Sequence, residues 1–142
     1  MANAITPEHI PCAGQRILIA DDDAPVRKLF RMILSSGFPN CTIDVACNGA
    51  EAVESFQQFH HSVVLLDVKM PVMNGLLAFD KISELCEENK WAMPAVIFCS
   101  AFAFGSPVLM RVAKDPRHGF IQKPPTIEII CAAVKARLPA AR

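Results

Sequence analysis

The sequence predicts an α/β protein: a five-stranded parallel sheet, doubly wound by helices. Three observations carry this. Apolar runs of strand length recur at residues 16–20, 41–46, 62–66, 95–99 and 119–122. The third and fourth, SVVLL and AVIFC, are continuous rather than alternating, as strands buried on both faces of a parallel sheet must be. Stretches with helical spacing separate the runs, so strand and helix alternate five times, and right-handed crossovers place helices on both faces.

The first strand, RILIA, leads to Asp23 as a helix N-cap, Pro25 in the first turn, apolar Val26, Leu29, Phe30 and Ile33, and Gly37 as a stop. After the second strand a helix opens at Asn48 and repeats Ala52, Val53, Phe56 and Phe59 on one face. The third helix begins after Asn74–Gly75; Leu76, Leu77, Phe79, Ile82 and Leu85 are expected inside, with Glu84, Glu87 and Glu88 facing water. A short fourth helix starts at Ser106–Pro107 and cannot pass Pro116 unbroken. The fifth is expected from about Thr126 through Ile129, Ile130, Ala133 and Val134 to Leu138. Residues 1–13 read as a loose extension, 14–138 as the domain, and 139–142 as a tail.

Composition narrows the function. The 142 residues suit one domain, and 52% are hydrophobic, too many for a disordered chain. Fourteen Lys and Arg balance fourteen Asp and Glu, which argues against a dedicated nucleic-acid or anionic-membrane binder. The balance is uneven: from Arg111 onward seven bases face two acids. Trp91 to Met110 carries no charge, but Pro94, Gly105 and Pro107 would break a membrane helix there, so a strand, loop and helix start is the better reading. None of the six cysteines forms a C-x-x-C, and His60–His61 stand far from them, so neither zinc nor a disulfide framework is indicated. With no basic or apolar leader in MANAITPEHIPCAG, a reduced, cytoplasmic chain is expected.

In an open parallel sheet the site forms at the carboxyl ends of the strands, near a switch in strand order. Asp21–Asp22–Asp23 follow the first apolar run, Asp67 the third, Ser100 the fourth and Lys123–Pro124 the fifth. Crowded carboxylates repel one another, and a divalent cation relieves the repulsion. Mg2+ suits them because it takes oxygen ligands and keeps waters that a phosphate can displace. Lys123 and Ser100 would contact phosphoryl oxygens, and Asp67 would attack phosphorus.

ILIADDD, LLDVKMPVMNG, AVIFCSA and GFIQKPP together resemble the receiver domain of two-component response regulators, over about residues 14–138. The resemblance implies a flavodoxin-like (βα)5 fold and a stand-alone, chemotaxis-regulator-like switch rather than an enzyme. It implies that Asp67 is the phosphoacceptor, and that Asp21, Asp22, Asp67 and the main-chain carbonyl of Lys69 hold Mg2+, Asp21 partly through water. Ser100 would bond the phosphoryl group, Lys123 would pair with it, Phe120 would be the aromatic switch, and Lys123–Pro124 would be cis. A sensor histidine kinase or histidine phosphotransfer protein would donate the phosphoryl group. The face of helix four, strand five and helix five would then select a downstream protein, from a monomer or weak dimer.

The stretch Asp115-Pro116-Arg117-His118-Gly119 departs from the family's usual small and acidic residues before strand five, and Pro116 should shorten helix four. Phe102, two residues after Ser100, is expected to shield the acyl phosphate. Two other readings stay open at this point. One is a degenerate receiver that acts only as an interaction module. The other is a haloacid-dehalogenase-type phosphatase using Asp21–Asp22–Asp23, although only Glu128 then remains as an acid beyond Lys123.

Overall fold

The computed structural model describes residues 15–101 and 105–139. The expected extension 1–13, Phe102 and residues 140–142 lie outside the described residues. Ten elements alternate: β1 (Arg16–Ala20), α1 (Ala24–Gly37), β2 (Thr42–Ala46), α2 (Gly49–Phe59), β3 (Val63–Asp67), α3 (Gly75–Asn89), β4 (Ala95–Ser100), α4 (Ser106–Val112), β5 (Gly119–Gln122) and α5 (Ile127–Lys135). All strand pairs are parallel, in the order β2-β1-β3-β4-β5. The chain thus steps outward to β2, returns past β1 to β3 and continues the other way.

Strand periodicity divides the core in two. Leu18, Ala20, Val64, Leu66, Val96 and Phe98 pack with α2, α3 and Val108 of α4. Ile17, Ile19, Val63, Leu65, Ile97 and Cys99 pack with α1 and α5. Both faces of β1, β3 and β4 are therefore apolar, which is why their sequences do not alternate. Phe56, Phe79 and Phe98 are fully buried, each contributing about 1.5–3 kcal/mol of transfer free energy.

Four helices begin with a side-chain cap. Asp23 accepts from Val26 N–H at 3.5 Å, Asn48 from Glu51 N–H at 2.8 Å, Asn74 from Leu77 N–H at 2.9 Å and Thr126 from Ile129 N–H at 3.1 Å. α4 starts at Gly105 with no such bond, and Val108 is its one buried residue. It ends at Val112, ahead of Pro116, as expected from that proline.

Some expectations need correction. The inward stripe of α3 is Gly75, Ala78, Phe79, Ile82 and Cys86. Leu77 falls on the opposite side of that stripe and is 54% exposed, while Leu76 and Leu85 flank it. In α5, Ile130 and Val134 fill the inward positions and Ile129 is half-exposed. That helix stops at Lys135, short of Leu138. Phe59 stays partly exposed, with the Arg16 guanidinium 4.0 Å above its ring. No helix among the described residues is long and apolar enough to cross a membrane.

His118 closes the amino end of the β4–β5 seam. Its Nδ1 accepts Val96 N–H at 3.0 Å, and its ring meets Phe79 edge-on at 5.2 Å. Burial pushes its pKa below the ordinary histidine value, which keeps the ring neutral and Nδ1 free to accept.

Candidate functional site

At the carboxyl edge, Asp21 N–H bonds Ala46 O at 3.1 Å and extends the β1–β2 ladder by one residue. The chain then turns: Asp23 N–H donates to Asp21 Oδ1 at 2.9 Å, and Arg27 Nη1 donates to the Asp21 carbonyl at 2.7 Å. Asp67 is the last residue of β3, opposite Cys99. Ser100 is the last residue of β4, and its carbonyl accepts Lys123 N–H at 2.8 Å, which places the lysine just past β5.

Two glycines hold the loop between β3 and α3 against this edge. Gly75 N–H bonds Val68 O at 2.8 Å, and a Cβ on Gly75 would lie 2.1 Å from the Asp67 carbonyl oxygen. Gly49 N–H bonds Met73 O at 2.8 Å, and a Cβ there would lie 2.2 Å from that oxygen. Only a residue without a side chain allows either approach. Between them, Met73 N–H closes back on Pro71 O at 2.7 Å, leaving Val72 with φ of 68° at the centre of a strained γ-turn.

Carboxylate oxygens of Asp21, Asp22 and Asp67 all lie within 4.8 Å of one another. Asp21 and Asp67 are buried, and Asp22 is exposed at the mouth. Lys123 Nζ sits 2.5 Å from Asp21 Oδ2 and 3.6 Å from Asp67 Oδ2. Burial lifts the Asp67 carboxyl to about 6; the charges of Asp21 and Asp22 add to the rise, and Lys123 opposes it. Burial works against the Lys123 ammonium, but its bond to Asp21 and the nearby Asp67 charge outweigh that and raise its pKa. Beside them, burial pushes the Cys99 thiol up to about 12, so it stays protonated and inert. Cys41, Cys47, Cys86, Cys99 and Cys131 are all free thiols.

The structure thus brings Asp21, Asp22, Asp67 and Lys123 together, with Ser100 buried at the neighbouring strand end. Asp23, the third acid of the run, caps α1 as its place before Pro25 predicted. Lys69 lies exposed in the loop two residues after Asp67. Phe120 pairs with Phe98 and so shares its sheet face on the α4 side, where it is 46% exposed. The Lys123–Pro124 peptide is cis. Arg27 and Gly49 escaped the sequence reading as parts of the site, and Gly75 entered it only as the last residue of LLDVKMPVMNG and the start of the third helix. The glycines carry a local signal, each opening a helix behind an asparagine cap; Arg27 carries none.

Residues 17–135 match the family model described as the response regulator receiver domain. The chain belongs to this family. Receiver domains of this kind are signalling switches in two-component systems. The chain is 40% identical over 91 residues to protein-glutamate methylesterase/protein-glutamine glutaminase 1 of Methanosarcina acetivorans, covering 64% of itself and 25% of that protein. It therefore spans about a quarter of the methylesterase it matches. It is 34% identical over 126 residues to chemotaxis protein CheY of Bacillus subtilis, covering 88% of itself and 98% of that protein. Among solved structures, the CheX–CheY–BeF3–Mg2+ complex of Borrelia burgdorferi matches this receiver with a TM-score of 0.71 and 26% identity, over 86% of this chain and 87% of that one.

Proposed function

We propose that this receiver accepts a phosphoryl group on Asp67 and uses the resulting charge to change its α4–β5–α5 face. The observation that carries the reading is the pocket itself: a buried carboxylate at the end of β3, raised to about 6, with Lys123 3.6 Å away and two further aspartates beside it. Three carboxylates so close are an oxygen donor set that fits a small hard cation. Asp21, Asp22 and Asp67 with the Lys69 carbonyl would hold Mg2+, which when bound would neutralise charge on the phosphoryl oxygens.

In the transfer, an Asp67 carboxylate oxygen attacks the phosphorus of a phosphohistidine on a kinase or phosphotransfer protein. The O–P bond forms, the N–P bond breaks, and the imidazole leaves with the electron pair and takes up a proton. Lys123 stabilises the charge gathering on the phosphoryl oxygens. The Ser100 hydroxyl turns toward the new oxygens, and Phe120 moves from its exposed position into the space behind it. Ligand-dependent population shift of this kind needs no new fold, only two packings of one face. We assign the working domain to 14–138, the setting to the cytoplasm, and the chain to a monomer or weak dimer with an unidentified protein target.

Incubation with acetyl phosphate and Mg2+ tests this. Intact mass should rise by one phosphoryl group, and Asp67→Asn should abolish the gain. A wild-type chain that gains nothing, and shows no beryllofluoride-dependent NMR shifts, would leave the interaction-module reading. A phosphatase reading would need its nucleophile in the acids after β1. There Asp21 is tied at one oxygen by Lys123 and at the other by Asp23 N–H, which disfavours that role.

A further inference from the structure

α4 is the most weakly held helix of the fold. It is seven residues long, has no side-chain cap and buries only Val108. A cleft of about 470 Å³ separates it from α3, lined by Asp80, Glu84 and Glu87 on one wall and by Met110, Arg111 and Lys114 on the other. Lys114 Nζ, on the α4 side, lies 5.9 Å from the centroid of the Phe79 ring, and among the described residues one ion pair crosses the cleft. Arg111 Nε and Nη2 donate to the two carboxylate oxygens of Asp80 at 2.9 and 2.6 Å. Its Nη1 donates to the carbonyl of Pro107 within α4 at 2.8 Å, so the guanidinium is fixed to its own helix and grips the next. Asp80 sits on α3, whose inward residues Phe79 and Ile82 are fully buried and cannot follow a movement of α4.

We propose that the Asp80–Arg111 pair is an autoinhibitory latch, holding α4 in its resting position and opposing the switch at Asp67. The inference rests on the phosphoacceptor reading above. Gly105, the start of α4, follows Ser100 by only five positions. Val108 of α4 packs in the same core cluster as Phe98, two residues before Ser100 on β4, so a displacement of Ser100 toward Asp67 acts on α4, and the two-pronged pair must strain or part before the helix moves. A planar fork on a carboxylate resists such sliding more than a single charged contact does. Its partial exposure limits the opposition to a small factor rather than a lock.

The test is beryllofluoride affinity in the presence of Mg2+, measured by titration of wild type, Asp80→Ala, Arg111→Ala and the double variant. Each single variant should bind the mimic about five-fold more tightly, and the double variant no more tightly than either. The two substitutions change net charge in opposite directions, so a general field effect would move them oppositely. Glu84→Ala, which removes an acid from the same cleft but not from the pair, should leave affinity unchanged. Unchanged or weakened binding in either single variant, opposite signs or additive effects would overturn the latch. A second readout needs no ligand: hydrogen exchange of amides 106–112 should quicken about five-fold in Asp80→Ala. If wild type fails to bind the mimic, the phosphoacceptor reading falls and the exchange rates alone decide whether α4 is held. Unchanged rates then remove the latch as well.

Discussion

Lys123 bonds Asp21 at 2.5 Å and stands 3.6 Å from Asp67, so the cation of the pocket is committed first to the acid that ends β1. Asp67 receives only part of its field while bearing burial and two like charges. That division explains how a carboxylate beside a lysine still titrates near 6.

The division can be tilted in both directions. Asp21→Asn removes a like charge and releases Lys123, so the Asp67 pKa should fall by about one unit in metal-free protein. Lys123→Met removes the opposing cation and should raise it by a similar amount. Carbon-13 NMR of the aspartate carboxyls against pH reads both. If Asp67 titrates alike in the two variants, burial alone sets its value and the lysine is a bystander.

The same shift makes the site a cost to stability. In the unfolded chain Asp67 ionises near 3.8, and in the folded chain near 6. Between those values the folded state holds more protons, so this group's contribution to stability falls as pH rises, by about 3 kcal/mol in all. In EDTA at pH 7, Asp67→Asn should therefore be more stable than wild type by about 1–3 kcal/mol, with the gap closing toward pH 4. Urea denaturation at both pH values measures it. A variant no more stable than wild type at pH 7 would show that the folded pocket tolerates the charge.

Much of this was legible in the sequence, for physical reasons that mark where legibility ends. SVVLL and AVIFC declared their strands because burial on both faces leaves no room for polar residues. Asp67, Ser100 and Lys123 could be placed at one edge because parallel strands send their carboxyl ends the same way. Asp23 could be told from Asp21 and Asp22 because Pro25 and the apolar run behind it mark a helix start, whereas the turn in which its N–H bonds Asp21 Oδ1 left no trace in the sequence. Leu77 misled because a helix exposing apolar residues beside its inward stripe has no sharp boundary in sequence. The Asp80–Arg111 pair joins residues 31 positions apart across a cleft, and nothing local announces it.

His118 should give a pH limb of the opposite sign. Its folded pKa lies below the ordinary 6.5, so as pH falls below 6.5 the unfolded chain takes up the proton first and stability declines. Protonation would also remove the lone pair that Val96 N–H uses. His118→Leu should cost about 1–3 kcal/mol at pH 7 by leaving that amide unpaired, whereas His118→Asn, which offers an oxygen in its place, should cost less. Both should lose the decline attributable to this ring between pH 6.5 and 5. Equal losses for the two variants would assign the role of His118 to packing on Phe79 instead.

The loop over the pocket offers a paired test of backbone geometry. Val72 holds φ of 68° while 84% exposed, so its side chain contributes little burial in return for the strain. Val72→Gly should stabilise the protein by about 1 kcal/mol, the relief of a left-handed β-branched residue less the added freedom of glycine in the unfolded chain. Gly75→Ala should do the reverse. Its methyl would meet the Asp67 carbonyl oxygen at 2.1 Å, a backbone atom that cannot step aside without moving the end of β3. A loss of about 2–3 kcal/mol is expected from such overpacking, together with slower phosphorylation by acetyl phosphate, because the displaced residue is Asp67 itself. Val72→Gly should leave that rate within two-fold of wild type, since Val72 touches the pocket only through the loop. A Gly75→Ala protein that keeps both its urea midpoint and its phosphorylation rate would mean that the helix start slides away from β3 at little cost, and that the glycine is not what seats α3 behind Asp67.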